Sequence, residues 1–252
     1  MQSKSKPKLK VCNILGVNIN VTNMKDTIKV ITHNLEDIKG NYICVSNVHT
    51  TVMSYEDERY RNIQNSGFMA LPDGKPLSIV SQKRGFKEAE RVTGPDLMEE
   101  IFKISEENGY SHYFYGSTQK TLDTLQAKLN EKYPNMKISG MYSPPFRKLT
   151  EEEDKKVIES INKVKPDFIW VGLGAPKQEI WMCKHKNKVN GLMLGVGAGF
   201  DYHAGNISRA PKWMQNMSLE WLYRLMQDPK RLLKRYINTN LKFIYILTIK
   251  RV

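Results

Sequence analysis

The stretch DFIWVGLGAPKQE, residues 167–179, decides how the chain is read. Asp167 to Leu173 is a short, unbroken apolar run, the pattern of a strand covered on both faces. Gly172 and Gly174 break it, and Pro176 suits the first turn of a helix. A strand passing through a glycine turn into a helix is the unit of a parallel α/β sheet. Glycines there let a ligand approach the backbone, and the N–H groups of a helix start can hold a phosphate or carboxylate. The same residues also read as nothing more than a tight, well-capped turn.

Outward from this unit the pattern recurs. Gly191 to Val196 is a second strand, ending in the glycine-rich Gly195-Val196-Gly197-Ala198-Gly199-Phe200-Asp201. Upstream, Thr150 opens a T-E-E-E capping box and a helix to Val164. Met136 to Met141 and His112 to Tyr115 are strands, the latter ending in Gly116-Ser117 and followed by a helix to about Tyr133. Gly94-Pro95-Asp96 opens a helix to Asn108, closed by Gly109. Gly67 to Leu71 is a short strand leading into the turn Pro72-Asp73-Gly74, and Tyr42 to Val48 is another. Val11 to Val21 reads as two short strands about Gly16, a small hairpin, after which Thr22 caps a helix to Ile38. The alternation predicts a single Rossmann-like α/β domain with a mostly parallel sheet over residues 1–207, followed by a basic helical appendage over 208–252. In such sheets ligands bind past the carboxyl ends of the strands.

Composition removes several function classes. The 252 residues are 40% hydrophobic and 26% charged, which excludes disorder and a membrane-embedded bundle. No apolar run approaches the ~20 residues of a bilayer span. The opening MQSKSKPKLK is basic but lacks the apolar run of a secretory signal, so a cytoplasmic location is expected. Cys12, Cys44 and Cys183 stand far apart, which fits a reducing compartment and no Cys-rich zinc site. The five histidines show no metal-ligand spacing and no D-x-D occurs, so neither metal nor cofactor is expected. No P-loop and no G-x-S-x-G occurs, and Phe200 stands where a dinucleotide fingerprint wants its third glycine.

Asp73 is the sharpest single residue: a carboxylate between Pro72 and Gly74 at a strand end, where it can face a cleft or merely cap its own turn. The charge is uneven. Of the net +13, +8 lies in the last 45 residues, so an anionic partner is expected there. From Pro229 a helical projection puts Leu233, Ile237, Leu241 and Ile244 on one side and Arg231, Arg235 and Lys242 on the other. Ile246 and Ile249 fall on the basic side, so the projection predicts an end near Ile244. A helix lying in a membrane interface has this pattern, and so does one packed on a core or on a second copy in a homo-oligomer. A nucleic-acid-binding protein shares the charge, but no RNP, KH or helix-turn-helix pattern supports it. A non-catalytic scaffold on a lipid surface is the remaining rival.

Seven ordered segments together resemble the WecG/TagA/CpsF family, glycosyltransferase family 26. They are Ser46-Asn47-Val48-His49, Leu71-Pro72-Asp73-Gly74, Arg91 to Leu97, Tyr115-Gly116-Ser117, Val171 to Glu179, Gly197 to Asp201, and Arg209-Ala210-Pro211 with Leu219 to Leu225. The resemblance implies a membrane-associated inverting transferase at the inner face of the cell membrane. It would move a sugar from a UDP-sugar to a lipid-linked diphosphate sugar in teichoic acid, capsule or exopolysaccharide synthesis. In members using N-acetylmannosamine the acceptor is N-acetylglucosamine on undecaprenyl diphosphate. Ser117 and the run Asp201 to Gly205 depart from the teichoic-acid members, which leaves glucose, glucuronate or another hexose open as donor sugar. By the resemblance Asp73 is the general base, Asn47 and Arg91 line its pocket, and Arg224 and Arg231 belong to the appendage that completes the site. Thr93, Gly116, Gly172, Gly174, Pro176, Gln178, Glu179, Gly197 and Asp201 are expected to line the substrate.

Overall fold

The computed structural model describes residues 9–217 and 219–249, with the side chains of Asn216, Arg231 and Arg235 outside that description. An antiparallel hairpin comes first, β1 (Val11–Ile14) and β2 (Val17–Asn20). Then come α1 (Met24–Ile38), β3 (Tyr42–Ser46), α2 (Val48–Glu56), α3 (Glu58–Ser66), β4 (Met69–Pro72) and α4 (Lys75–Lys83). The middle of the chain holds α5 (Gly94–Asn108), β5 (Ser111–Gly116), α6 (Gln119–Lys132), β6 (Lys137–Tyr142) and α7 (Glu151–Val164). Beyond them lie β7 (Phe168–Gly172), α8 (Lys177–Lys184), β8 (Leu192–Gly195) and α9 (Gly199–His203). The C-terminal helices are α10 (Lys212–Asn216), α11 (Glu220–Gln227) and α12 (Pro229–Ile249).

Strands β3 to β8 form one six-stranded sheet in the order β4-β3-β8-β7-β5-β6, with every pairing parallel. Apart from the edge strand β6, which has no fully buried residue, each strand buries both faces, and its residues alternate between two cores. In β7, Phe168 and Trp170 join α1, α5, α6 and α9 on one face, while Ile169 and Val171 join the hairpin, α2, α4, α7, α8 and α12 on the other. That is why the strand reads as continuously apolar. Each such side chain taken out of water contributes about 1.5–3 kcal/mol. In the first core Trp170 Nε1 donates to His112 Nδ1 at 3.0 Å, while His112 Nε2 has no hydrogen-bond partner among the described residues, and burial pushes the imidazole down to about 3, so it stays neutral.

The expected sheet and hairpin are found, with corrections at element ends. Asn23, not Thr22, caps α1: its Oδ1 accepts from the Asp26 N–H at 2.9 Å, while the Thr22 hydroxyl is turned inward to Thr27. The strand expected to reach Val48 stops at Ser46, because Asn47 and Thr50 form a reciprocal capping box that starts α2. The tail helix does not end near Ile244. It runs to Ile249 because Phe243 and Ile246 are buried in the second core, so the helix has two apolar sides. One is sunk in the body; the other, with Leu233, Ile237, Leu241 and Ile244, is exposed, Leu241 by 64%.

Candidate active site

The register brings the carboxyl ends of the strands level. Ser46 pairs with Pro72, Cys44 and Val171 with Gly195, and Gly116 with Gly172. From the neighbours β3 and β8 the chain leaves to opposite faces, into α2 and α9, and a crevice opens where they part.

Asp73 stands at this crevice as the first residue past β4. Its N–H donates to the Ser46 carbonyl at 2.7 Å, and Gly74, at φ +100°, turns the chain at once into α4. The returning segment runs beside the strand end, with the Val92 N–H on the Pro72 carbonyl at 2.9 Å, and so brings Arg91 to the same place. Burial pushes the Asp73 carboxyl up to about 6. The charge of Arg91 pulls against that, Glu220 adds to it, Arg224 pulls down and Asp96 pushes up. Asn47 follows the strand next to β4 and spends its side-chain oxygen on the α2 cap, accepting from the Thr50 N–H at 3.2 Å. Thr93 caps α5 and donates to Asp96 Oδ2 at 2.6 Å.

The glycine-rich ends are held by one amide. Gln178 Oε1 accepts from the Gly174 N–H at 3.1 Å and the Gly197 N–H at 3.0 Å, and Nε2 donates to Glu179 Oε1 at 2.8 Å. Gln178 therefore ties the loop after β7 to the loop after β8, and those two N–H groups are already in use. Glu179 is fully buried, and burial pushes its carboxyl up. Gly116 and Gly172 lie at the paired ends of β5 and β7. Pro176 is the residue before α8 rather than part of its first turn, and follows a cis bond from Ala175. Asp201 sits in α9 and accepts from Asn206 Nδ2 at 3.0 Å. Thus Asp73, Arg91, Thr93 and Arg224 form one electrostatic cluster, while Gln178 and Glu179 support the loops from behind.

Four residues without an expected role belong to that cluster. Arg91 Nη1 meets Glu220 Oε2 at 2.8 Å and Arg209 Nε pairs with Glu220 Oε1 at 3.3 Å. Asp96 Oδ1 meets Arg209 Nη1 at 2.8 Å, and Arg91 Nη2 closes the ring on Asp96 Oδ2 at 3.9 Å. Burial works to raise the Asp96 carboxyl, but Arg209 and Thr93 outweigh it and hold it below the usual range. Tyr202 lies under two guanidiniums, with Arg209 5.5 Å and Arg224 5.6 Å from its ring centre. Burial pushes its phenol up to about 12. Asp96, Arg209 and Glu220 stand in the segments that carry the resemblance, and that placement was the available signal. Arg231 lies in α12, and its expected place in the site falls outside the described side chains.

A family model described as "Glycosyl transferase WecG/TagA/CpsF family" matches residues 12–252. Among relatives, the N-acetylglucosaminyldiphosphoundecaprenol N-acetyl-beta-D-mannosaminyltransferase of Staphylococcus aureus (strain MW2) is 29% identical over 223 residues, covering 87% of this chain and 86% of the relative. The enzyme of the same name from Bacillus subtilis (strain 168) is 29% identical over 220 residues, covering 87% of this chain and 83% of its own.

Proposed function

The chain belongs to the WecG/TagA/CpsF family of glycosyl transferases, and from that premise we propose that it carries N-acetylmannosamine from a UDP donor to N-acetylglucosamine on a lipid-linked diphosphate, with inversion and without a metal, in teichoic acid or related polymer synthesis. The observation that carries the reading is Asp73, a carboxylate at a strand end with its pKa lifted to about 6 among arginines. A base of that strength is ionised at neutral pH yet still able to take a proton. In the proposed step the acceptor hydroxyl gives its proton to Asp73 as its oxygen bonds the anomeric carbon. The bond from that carbon to the diphosphate oxygen breaks, and UDP leaves with both electrons. The negative charge that builds on the diphosphate is met by Arg224, with Arg91 beside it.

The test is UDP release with a short-chain diphosphate-linked N-acetylglucosamine acceptor across UDP-N-acetylmannosamine, UDP-glucose and UDP-glucuronate. Transfer from the first alone is expected, and EDTA should leave the rate within about twofold, since guanidiniums carry the leaving group. Loss of the rate in EDTA with recovery on Mg²⁺ would refute the metal-free part, and transfer from another donor would replace the sugar.

Among the described residues no helix is long and apolar enough to cross a membrane. We place the enzyme on the cytoplasmic face of an anionic bilayer, through the exposed stripe of α12 with the half-exposed Trp221, whose ring meets Tyr236 of that helix, beside it. Each basic residue near such a surface adds about 1 kcal/mol. The protein should float with vesicles rich in phosphatidylglycerol, and Leu241→Glu should lower the bound fraction about tenfold. Equal flotation of both would remove the stripe from this role.

A further inference from the structure

We propose that Glu220 is a positioning residue: the acid shared by Arg91 and Arg209 docks α11 on the α/β body and thereby sets Arg224 over the mouth that holds Asp73. This rests on the glycosyl-transfer reading above. The ring draws on separate parts of the chain. Arg91 comes from the segment after α4, Asp96 from the first turn of α5, Arg209 from the segment after α9, and Glu220 from the first turn of α11. Arg91 and Glu220 stand 129 residues apart in sequence and meet at 2.8 Å, with their side chains only 19% and 15% exposed.

Helix α11 needs such an anchor. None of its residues is fully buried, so no apolar side chain sunk in the core keys it to the sheet. Residues four apart share one face of a helix, so fixing Glu220 on the two arginines also directs Arg224 to the same side. The groups facing Asp73 are Arg91 from the segment after α4, Asp96 from α5, Glu220 and Arg224 from α11, and Tyr202 from α9. Glu220 acts on the base in two ways: its own charge disfavours ionisation of Asp73, and it engages Arg91, which favours ionisation. Removing the Glu220 charge strips an anion and frees a cation, both of which make Asp73 easier to ionise; the release of Arg224 works the other way but is a smaller influence than Glu220 itself.

The full chain carrying Glu220→Gln, which keeps the shape and removes the charge, is compared with wild type by two measurements. Amide exchange over residues 219–227 should quicken at least tenfold, because those amides open locally once the anchor is lost. The acid limb of kcat/KM against pH should move down by roughly half a pH unit or more, and kcat/KM at pH 8 should fall about tenfold. Arg209→Ala in the Glu220→Ala background should quicken exchange no further than Glu220→Ala alone, since one ring is being opened twice. Unchanged exchange overturns the docking; quickened exchange with an unmoved acid limb and rate overturns the positioning role. A wild type that transfers no sugar refutes the underlying reading, while the exchange arm still decides the docking.

Discussion

Asp73→Asn is expected to cut turnover by ~10²–10⁴-fold while the protein melts no lower than wild type at pH 8. The two halves have one cause. A carboxylate whose folded pKa is raised is held ionised against its surroundings once the pH passes that value, so its contribution to stability is present at low pH and lost as the pH rises through about 6. The amide carries no such charge and cannot take the acceptor's proton. For the same reason wild-type kcat/KM should rise with pH through about 6 and then level, and the Asn variant should lose that acid limb. Near-wild-type turnover by a folded Asp73→Asn protein, measured with melting in parallel, would remove Asp73 from the reaction.

Gly116→Ala should be severe although it changes no functional group. Gly116 has φ +126°, where a β-carbon is strained, and that carbon would lie 2.6 Å from the Gly172 carbonyl carbon and 2.7 Å from its oxygen. Both neighbours are backbone of the adjacent strand and cannot rotate away. Backbone strain and overpacking, each of order 1–3 kcal/mol, should together destabilise the protein by at least ~3 kcal/mol. For a chain of this size that lowers the melting temperature by about 6–12 °C. A melt within about 2 °C of wild type would mean that the ends of β5 and β7 can part.

These two positions also mark what could be read without coordinates. Strand ends were legible where a doubly covered, apolar strand stops at glycine or proline, as in Asp167 to Gly174 and at Pro72-Asp73-Gly74, and not at Ser46, where the strand passes straight into the α2 cap. The helix opened by Thr150 was legible to the residue, since a capping box is local chemistry. Helices α2 and α3 were not: α2 buries Thr50, Thr51 and Ser54 beside Val52, so it has no clean apolar stripe, and α3 is largely polar. Gln178 stood in a segment expected to touch substrate, yet only the fold reveals that its amide is spent on Gly174 and Gly197. The ring around Glu220 was out of reach for a different reason. No local pattern announces a pairing between residues so distant in sequence.

The last helix limits how the molecule can meet a surface. With Phe243 and Ile246 keyed into the body, α12 cannot roll about its own axis, so its bare stripe keeps one azimuth relative to the carboxyl edge of the sheet. On the membrane placement proposed above, the stripe would serve as a keel: a flat apolar phase that accepted it would also set the heading and pitch of the mouth at Asp73. One residue inserted between Ile237 and Leu241 would turn the upstream half of the stripe, Leu233 and Ile237, by about 100° against Leu241, Ile244 and the keyed Phe243 and Ile246, with composition scarcely altered. Heading, more than stickiness, would then be what this helix contributes under the proposed function, and a lipid-borne acceptor moving in the plane would always arrive from the same quarter.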